Sequence, residues 1–478
     1  MALAVLKFGG TSVGDAQAIR QAAQIACDAT AHYEHVVVVT SAMGKSADPR
    51  DSVKVTDMLL QAARAAAQGD AEAYRRARRL LADKHFAAIE GAVPAADDRW
   101  RIGEEVEQLL NAFETLCSSV CVLGEITPRA LDAIAGLGER MAARILAGAI
   151  RGLGVRSEAF DASDLIVTDS RFQAAAPIMA LTRERTRARL LPALEEGIVP
   201  VVTGFIGATE QGVPTTLGRG GSDYSASIVA AALDADAVFN YTDVDGVLSA
   251  DPRVVPDAHT IPVLTAQEMS EMAYFGASVL HPLTIAPLLE RNIPLRVKNT
   301  FNPSHAGTLI VYRPPQERRS GVITAVTAIK NVSLVTVAGA GMRGVPGIAA
   351  RTFSTVARAG VSVYMISQAS SEQSICFVIP RDAAPAVLSA LRDEFADEIR
   401  RRDIDGVSSF DQAAIVTAVS AGLRDTPGVS GRVFGALGNA NINVFAIAQG
   451  SSECSISMVV AASACDQAVR VLHALTHA

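Results

Sequence analysis

Short apolar runs alternate with helical segments along the N-terminal part of the chain. The runs ALAVLKF, HVVVVTSAMG, GIVPVVTGFIGAT and DAVFNYTDVDGVL are typical of buried strands. The segments DAQAIRQAAQIACDA, GERMAARILAGAIRGLG and SDYSASIVAAALDA have the spacing of amphipathic helices, and two longer helices are predicted over about Asp70–Ile89 and Asp98–Val120. Strands separated by helices predict an α/β fold with a mostly parallel sheet covered by helices on both faces.

The hydrophobic pattern changes at YRPPQERRSG, a charged and proline-rich stretch. We interpret it as a domain boundary, with a surface loop inside one domain as the alternative. Its position predicts a first domain over residues 1–312.

An internal repeat follows this boundary. Pro346 matches Pro427, and Gln368 matches Gln449 at the same spacing. Each copy has the order strand, Pro-Gly turn, helix, strand, Gln-x-Ser-Ser-Glu loop and strand. A long period that occurs twice predicts two small α+β domains rather than a solenoid. We predict these domains at 322–400 and 401–478.

Composition narrows the classes of protein. The chain has 478 residues, a formal net charge of −7 and no long basic run, which argues against a nucleic-acid partner. We expect no membrane segment, because no run reaches about 18 apolar residues. The start MALAVLKFGG lacks the pattern of a signal peptide. The six cysteines contain no C-x-x-C, and the eight histidines show no metal-ligand spacing. We therefore expect a cytoplasmic protein with reduced cysteines.

The stretch LKFGGTSVGD suggests phosphate binding in an unusual geometry. A Walker loop places its lysine after the glycines, whereas Lys7 precedes Gly9 and Gly10. The motifs KFGG, VTSAMG, VVTGF and NYTDVDG all lie at the carboxyl ends of predicted parallel strands. Ligands bind at this edge of open α/β sheets, so these motifs predict one shared site.

The segment TTLGRGGSDYSAS lies where a strand turns into a helix. Ser222 and Asp223 are predicted to cap that helix, whose N-terminus favours an anion. Arg219 can bind a carboxylate through two parallel hydrogen bonds. A plain capped turn is the alternative, but it leaves the arginine between glycines unexplained. In YTDVDGVLSADPR, Pro252 occupies the place of the glutamate that a calcium loop requires, so that type of site is excluded.

Together these motifs resemble the aspartate kinases of the amino-acid kinase family. KFGGTSV, TSAMG, VTDMLL, GLGERMAA, GRGGSDYSA, TDVDGV with ADPR, and YFGASVLHP occur in the order of that family, and the repeat resembles its regulatory ACT pair. The resemblance covers about Ala4–Ala462. It implies an amino-acid kinase fold, with helices on both faces of a mostly parallel sheet, followed by two ferredoxin-like ACT domains. Some members continue into a homoserine dehydrogenase, and because this sequence ends after the repeat we expect no such fusion.

The resemblance implies transfer of the ATP γ-phosphoryl group, with Mg²⁺, to the β-carboxylate of L-aspartate. The product would be 4-phospho-L-aspartate, in the first step of aspartate-family amino-acid biosynthesis. Lys7 would stabilise the transferring group and Asp223 would orient Lys7, while the glycines offer backbone N–H groups. Because the substrate carboxylate is itself the nucleophile, no strong general base is needed. Magnesium would bridge the phosphates with few direct protein ligands.

Further residues match family positions for binding. We assign Arg219 to the α-carboxylate of aspartate and Glu139 to its ammonium group. For Glu139 the alternative is an interaction with the helix dipole. For Phe172 the alternative is ordinary packing. The other substrate residues would be Ser41, Thr56, Phe172 and Ser222. The nucleotide residues would be Lys7, Phe8, Gly9, Gly10, Thr242, Asp243, Arg253, Ser278 and Val279.

The sequence departs from the family pattern at several points. Ser278 stands where the family often has a lysine that holds the nucleotide phosphates, and we interpret this as altered nucleotide binding. Leu248 replaces a usual tyrosine, and Leu283 replaces a common arginine. The loop GKSADPRDSVK is longer than usual and is predicted to form a flap near the substrate, which bears on the assignment of Thr56.

The repeats resemble the threonine-sensing type of ACT pair. Gln368 and Gln449 would bind an amino-acid effector, with threonine favoured over lysine, or would cap loops at strand ends. The resemblance also implies a homodimer or higher oligomer. Two rival functions remain: a kinase of the same fold acting on glutamate or acetylglutamate, and a silent amino-acid sensor suggested by Ser278. Retention of the four residues Lys7, Glu139, Arg219 and Asp223 favours an active aspartate kinase.

Overall fold

The computed structural model describes residues 2–46, 54–274, 280, 282–312, 323–421, 423, 426–449 and 454–477. The chain forms two compact units. The first comprises residues 1–247, 262–266 and 278–313, and the second comprises 248–261, 267–277 and 314–478. Two segments that precede the predicted boundary at residue 312 therefore belong to the second unit. The exact domain limits remain a prediction.

The first unit is built on a mostly parallel sheet, as the alternating pattern predicts. Its eight strands have the order β3-β5-β2-β1-β8-β10-β11-β9, and the pairing of β10 with β11 is antiparallel. A smaller sheet has the order β4-β6-β7. The strands are β1 Leu3–Phe8, β2 His35–Thr40, β3 Ser157–Phe160, β4 Val167–Thr168, β5 Val199–Thr203, β6 Ile206–Thr209, β7 Pro214–Thr216, β8 Ala237–Thr242, β9 Val263–Thr265, β10 Leu295–Asn299 and β11 Thr308–Val311.

Helices cover the main sheet of this unit. Asp15 begins the first of them by accepting a hydrogen bond from the Ala18 N–H, and caps of this kind stabilise a helix by about 1 kcal/mol. The two long predicted helices are present as α3 and α4. The helices are α1 Ala16–Ala29, α2 Val55–Ala67, α3 Ala71–Ala92, α4 Ala96–Leu123, α5 Pro128–Ala135, α6 Leu137–Gly152, α7 Met179–Glu195, α8 Gly221–Leu233 and α10 Ala286–Leu289.

The central strands are buried on both faces, which explains their unbroken apolar runs. Every residue of β1 is buried, and so are Val36–Thr40 of β2. Such strands cannot show the alternation of a half-exposed sheet. The four motifs that were predicted to share an edge follow β1, β2, β5 and β8, which are consecutive parallel neighbours in the sheet. The prediction that these four motifs lie at one edge of a parallel sheet is therefore confirmed.

The second unit contains the internal repeat in one antiparallel sheet of order β13-β14-β12-β15-β17-β16. Its first copy comprises β12 Ala325–Ala338, α11 Ile348–Arg358, β13 Met365–Gln368 and β14 Ser374–Pro380. The second copy comprises β15 Gly406–Val419, α14 Val429–Asn439, β16 Ala446–Ala448 and β17 Ser455–Ala461. The remaining helices are α9 Ala266–Tyr274, α12 Ala384–Glu394, α13 Ala396–Arg401 and α15 Cys465–His473. The predicted order of elements in each copy is confirmed.

The longest strand of one copy pairs with the longest strand of the other. Strand β12 pairs with β15 from Ala325 opposite Val419 to Ala338 opposite Gly406. In each copy the helix after the Pro-Gly turn is preceded by a glycine with positive φ, namely Gly347 at 94° and Gly428 at 87°. Within the part of the chain that the structure describes, no helix is long and apolar enough to cross a membrane.

Candidate active site

A cavity of about 1100 Å³ opens in the first unit, beside the ends of β1 and β2. Its lining brings together residues that lie far apart in the sequence. Predicted site residues in the lining are Lys7, Gly10, Ser41, Thr56, Glu139, Arg219, Ser222, Asp223 and Asp243. The lining also contains the cationic side chains Lys45, Lys54 and Arg64, so several positive charges face the cavity.

Lys7 and Asp223 form an ion pair in this cavity. The Lys7 Nζ atom lies 2.5 Å from Oδ1 of Asp223, and the two side chains are 9% and 14% exposed. Strand β1 holds the lysine, and the first turn of α8 holds the aspartate. The predicted orienting contact is therefore present, and the lysine is held at the edge of a space large enough for a ligand.

The KFGG loop is fixed by close backbone packing. The Gly9 N–H donates to the carbonyl of Tyr241, 3.1 Å away, and Phe8 stacks on the Tyr241 ring with centroids 5.1 Å apart. The Gly44 N–H donates to the carbonyl of Gly10, 2.8 Å away. A Cβ atom on Gly44 would lie 2.5 Å from the carbonyl carbon of Gly10, so no side chain fits there. Phe8 itself belongs to the core, and its contribution to the site would come from its backbone.

Glu139 presents a buried carboxylate to the cavity from the first turn of α6. Its side chain is 3% exposed and accepts a hydrogen bond from the backbone of Ala42. Its Oε2 atom has no hydrogen-bond partner within the described ranges. Burial raises the pKa of this carboxyl group to about 8. A buried acceptor without a partner is costly, and an ammonium group of a ligand would satisfy it.

Arg219 lies on an exposed turn between two glycines with positive φ, Gly218 at 77° and Gly220 at 70°. It lines the cavity and makes no hydrogen bond or ion pair with any other residue that the structure describes. The prediction that Ser222 and Asp223 cap the next helix is wrong. Gly220 is the N-cap of α8, with no capping bond from a side chain. Instead, Asp223 is directed to Lys7.

Asp132 is a cavity residue that the sequence analysis missed. It is 2% exposed and accepts hydrogen bonds from the N–H groups of Gln173 and Thr216 and from the Thr216 hydroxyl. Desolvation by burial raises its pKa. The carboxylate thereby joins α5 to the two loops that carry Gln173 and Arg219. The sequence hinted at this role only by placing an aspartate among the buried apolar positions of α5, next to Leu131 and Ile134.

Several predicted site residues do not line this cavity. Thr242 lies next to Asp243 and donates to its carboxylate, 3.1 Å away, whereas Phe172 is partly buried beside the lining residue Gln173. Neither Phe172 nor Thr242 lines the cavity. In the second unit, Arg253 is exposed and pairs with Asp251 at 2.7 Å. The predicted nucleotide residues Ser278 and Val279 lie outside the described residues, as does most of the longer loop between Met43 and Thr56.

The predicted effector residues occupy equivalent places in the second unit. Gln368 ends β13, Gln449 follows β16, and both side chains are exposed. Among the described residues there is no group of three or more His, Cys, Asp or Glu side chains that could hold a metal ion. A nucleotide-bound Mg²⁺ fits this composition, because that ion needs few protein ligands when phosphates supply the others. Two acidic residues of the cavity lining are Asp223, in the first turn of α8, and Asp243, which directly follows β8.

Comparisons with known proteins identify the family of the chain. Residues 2–299 match the amino acid kinase family, and residues 335–395 and 416–475 match the ACT domain. The bifunctional aspartokinase/homoserine dehydrogenase 2 of Arabidopsis thaliana, named as chloroplastic, is 37% identical over 98% of this chain and 50% of its own length. This chain thus spans half the length of that relative. Aspartokinase 2 of the same plant, also chloroplastic, is 30% identical over 98% of this chain and 83% of its own length.

Solved structures resemble the whole chain. Aspartokinase III of E. coli, in complex with aspartate and ADP, matches with a TM-score of 0.80 and 30% identity over 100% of both chains. The same enzyme in complex with lysine and aspartate matches with a TM-score of 0.77 and 31% identity over 99% of both chains. The chain therefore belongs to the amino acid kinase family, among the aspartokinases that carry a pair of ACT domains.

Proposed function

We propose that this chain is an aspartate kinase. It would transfer the γ-phosphoryl group of ATP to the β-carboxylate of L-aspartate and release 4-phospho-L-aspartate, the first step of aspartate-family amino-acid biosynthesis. One arrangement carries the proposal: the Lys7–Asp223 ion pair shares a cavity with Arg219 and with the unpartnered Oε2 of Glu139. The E. coli relative that binds aspartate and ADP supports the same substrates.

The cavity offers a partner for each charged group of aspartate. Glu139 would accept the ammonium group, and Arg219 would bind the α-carboxylate in a bidentate geometry. The β-carboxylate is then left to face Lys7, where the phosphoryl group would be transferred. Ser41, Thr56 and Ser222 also line this space and would add hydroxyl contacts. Phosphoryl transfer depends mainly on positioning and on stabilisation of negative charge, and both are supplied here without a strong base.

The nucleotide would bind at the glycine side of the same cavity. Gly9 and Gly10 follow Phe8 at the end of β1, and Gly10 lines the cavity, where its lack of a side chain would let phosphate oxygens approach the backbone. Thr242 and Asp243 lie at the end of the neighbouring strand β8. Mg²⁺ would supply charge neutralisation on the phosphates when it is bound with ATP. The contributions of Arg253, Ser278 and Val279 remain part of this proposal.

The decisive experiment measures ADP release with Mg-ATP and L-aspartate, with hydroxylamine present to trap an acyl phosphate. Wild type, Lys7→Met and the control Lys84→Met are compared; Lys84 lies on α3, outside the cavity lining. We expect aspartate-dependent turnover in wild type and in the control, and a loss of about 100-fold or more in Lys7→Met. Turnover with glutamate or acetylglutamate but not with aspartate would show that the enzyme acts on that compound instead. No turnover with any of them, while threonine or lysine binds, would favour a sensor.

We further propose feedback regulation through the second unit, with threonine as effector and lysine as the second candidate. Gln368 and Gln449 would hydrogen-bond the amino acid from equivalent positions of the two repeats. Lysine stays in consideration because the E. coli relative was solved with it. An effector that prefers an inactive conformation lowers activity by its difference in affinity. Kinase rates that stay constant across millimolar threonine and lysine would rule this out. We also propose a homodimer or higher oligomer.

A further inference from the structure

Asn240 lies directly behind the Lys7–Asp223 pair. It belongs to β8, which runs parallel to β1, and the register places Asn240 beside Lys7. Its side chain is 2% exposed and does not line the cavity. Its Nδ2 atom lies 3.2 Å from Oδ1 of Asp223. Because an ionised carboxylate only accepts hydrogen bonds, the amide must present its N–H group to Asp223.

A single oxygen atom of Asp223 therefore has two donors. Oδ1 accepts from Nζ of Lys7 at 2.5 Å and from Nδ2 of Asn240 at 3.2 Å. Because Asn240 also donates to this oxygen, it weakens the attraction between the oxygen and the ammonium group of Lys7. It also fixes the carboxylate when the lysine turns towards another anion. The geometry thus joins β1, β8 and α8 through three side chains.

An asparagine is a costly choice at this position. Val238, two residues earlier on the same face of β8, is buried and apolar, and asparagine is disfavoured in strands. The amide oxygen Oδ1 of Asn240 is buried and has no hydrogen-bond partner among the residues that the structure describes. A buried carbonyl without a partner destabilises the fold. The contact with Asp223 is the one benefit that the geometry shows for this side chain.

We propose that Asn240 is a positioning residue for phosphoryl transfer, acting through Asp223 to keep Lys7 directed towards the phosphate site. It deepens the proposed kinase function and rests on it. Because Asn240 does not line the cavity, it would act without touching substrate or nucleotide. It holds the carboxylate that orients the lysine, and it limits how tightly that carboxylate binds the lysine. Its removal should therefore change kcat and leave aspartate binding intact.

The test compares wild type, Asn240→Leu, Asp223→Asn and the double variant. Asn240→Leu keeps a similar volume and removes both the bond to Asp223 and the unpartnered oxygen. We expect kcat to fall about tenfold, since the lost bond is made to a charged group, while the KM for aspartate stays within about twofold. The thermal midpoint should stay the same or rise. In the Asp223→Asn background the same substitution should change kcat by less than about twofold, because its effect passes through the missing carboxylate.

A control variant separates this role from a structural one. Val238→Ala disturbs the same face of β8 without touching Asp223; it should lower the thermal midpoint and leave kcat within about twofold. An unchanged kcat in Asn240→Leu, or losses that multiply fully in the double variant, would overturn the inference.

Calorimetric titration of each variant with ATP repeats the test without turnover. We expect Asn240→Leu to weaken ATP binding about fivefold, and to have no effect in the Asp223→Asn background. If wild type binds ATP but does not phosphorylate aspartate, the proposed function fails while this titration still decides the role of Asn240. If wild type binds no ATP at all, both proposals fail.

Discussion

The hydroxyl of Thr216 donates to Oδ1 of Asp132, 2.7 Å away, and the backbone N–H of Thr216 donates to Oδ2 of the same carboxylate. These two residues are 84 positions apart in the sequence. Their contact fixes the end of β7 against α5, three residues before Arg219. The position of the exposed arginine therefore depends on a buried carboxylate that a ligand need not touch.

Thr216→Val should weaken aspartate binding. It keeps the shape of the side chain and removes the hydroxyl donor, so the turn that carries Arg219 loses one of its anchors. We expect the KM for aspartate to rise about fivefold with kcat within about twofold. The control is Thr186→Val. Thr186 lies in α7, is also buried, and its hydroxyl donates to the carbonyl of Leu165. Equal KM values for the two variants would contradict the anchoring role.

Aspartate binding should strengthen as pH rises towards 8. The pKa of Glu139 is raised by burial to about 8, so near pH 7 most of the unliganded protein carries a neutral carboxyl group. Because the ammonium group of aspartate prefers the ionised form, the KM should fall by up to about tenfold per pH unit below 8.

Glu139→Gln should abolish that dependence and raise the KM, whereas Glu90→Gln, an exposed change on α3, should keep it. KM values measured between pH 6.5 and 8.5 decide the matter. A wild-type KM that is constant over this range would show that Glu139 does not bind the ammonium group.

His85 should make the first unit sensitive to mild acid. It is fully buried on α3, its Nδ1 lies 2.6 Å from the Leu81 carbonyl, and desolvation lowers its pKa from 6.5 to about 4. As pH falls from 6.5 to 4, the unfolded chain binds a proton that the folded protein excludes. The free energy of unfolding should therefore fall by about 3 kcal/mol over that range from this residue.

His85→Leu should remove this component in urea unfolding at pH 7, 6 and 5. The exposed His32 is the matched control, and His32→Gln should retain the wild-type acid sensitivity. Identical pH dependence in wild type and His85→Leu would refute the assignment.

Effector sensitivity should depend on both glutamines of the repeat. Gln368→Ala and Gln449→Ala should each raise the threonine concentration for half-inhibition about tenfold, with uninhibited kcat unchanged. Gln467→Ala, on the exposed surface of α15, should leave inhibition unaltered. If threonine has no effect, the same variants should be measured with lysine. Normal inhibition by both amino acids in both variants would show that the effector binds elsewhere.

Much of the site was predictable because each motif sits at the end of its own strand. Lys7 lies in β1 and the two glycines follow that strand, while Ser41 follows β2, the parallel neighbour of β1. Once parallel strands are inferred, their carboxyl ends must lie together. Asp132 and Asn240 were not predictable in this way. Their roles come from hydrogen bonds to residues distant in the sequence, and an isolated aspartate or asparagine carries no pattern.

The failed capping prediction has a similar cause. Ser222 and Asp223 have the residue types of an N-cap, but the positive φ of Gly220 starts the helix earlier. A tertiary partner, Lys7, then takes the carboxylate. The grouping of 248–261 and 267–277 with the second unit was equally hidden, because linear boundaries assume that each domain is continuous.

The full-length pairing of β12 with β15 means that neither repeat is a separable building block. Each of these strands pairs with its own copy over part of its length, at 332–338 in β12 and 413–419 in β15, and with the other copy from end to end. Cutting the gene between the copies would expose two long sheet edges, which favour aggregation. Engineering of the second unit should therefore transplant both copies as one piece.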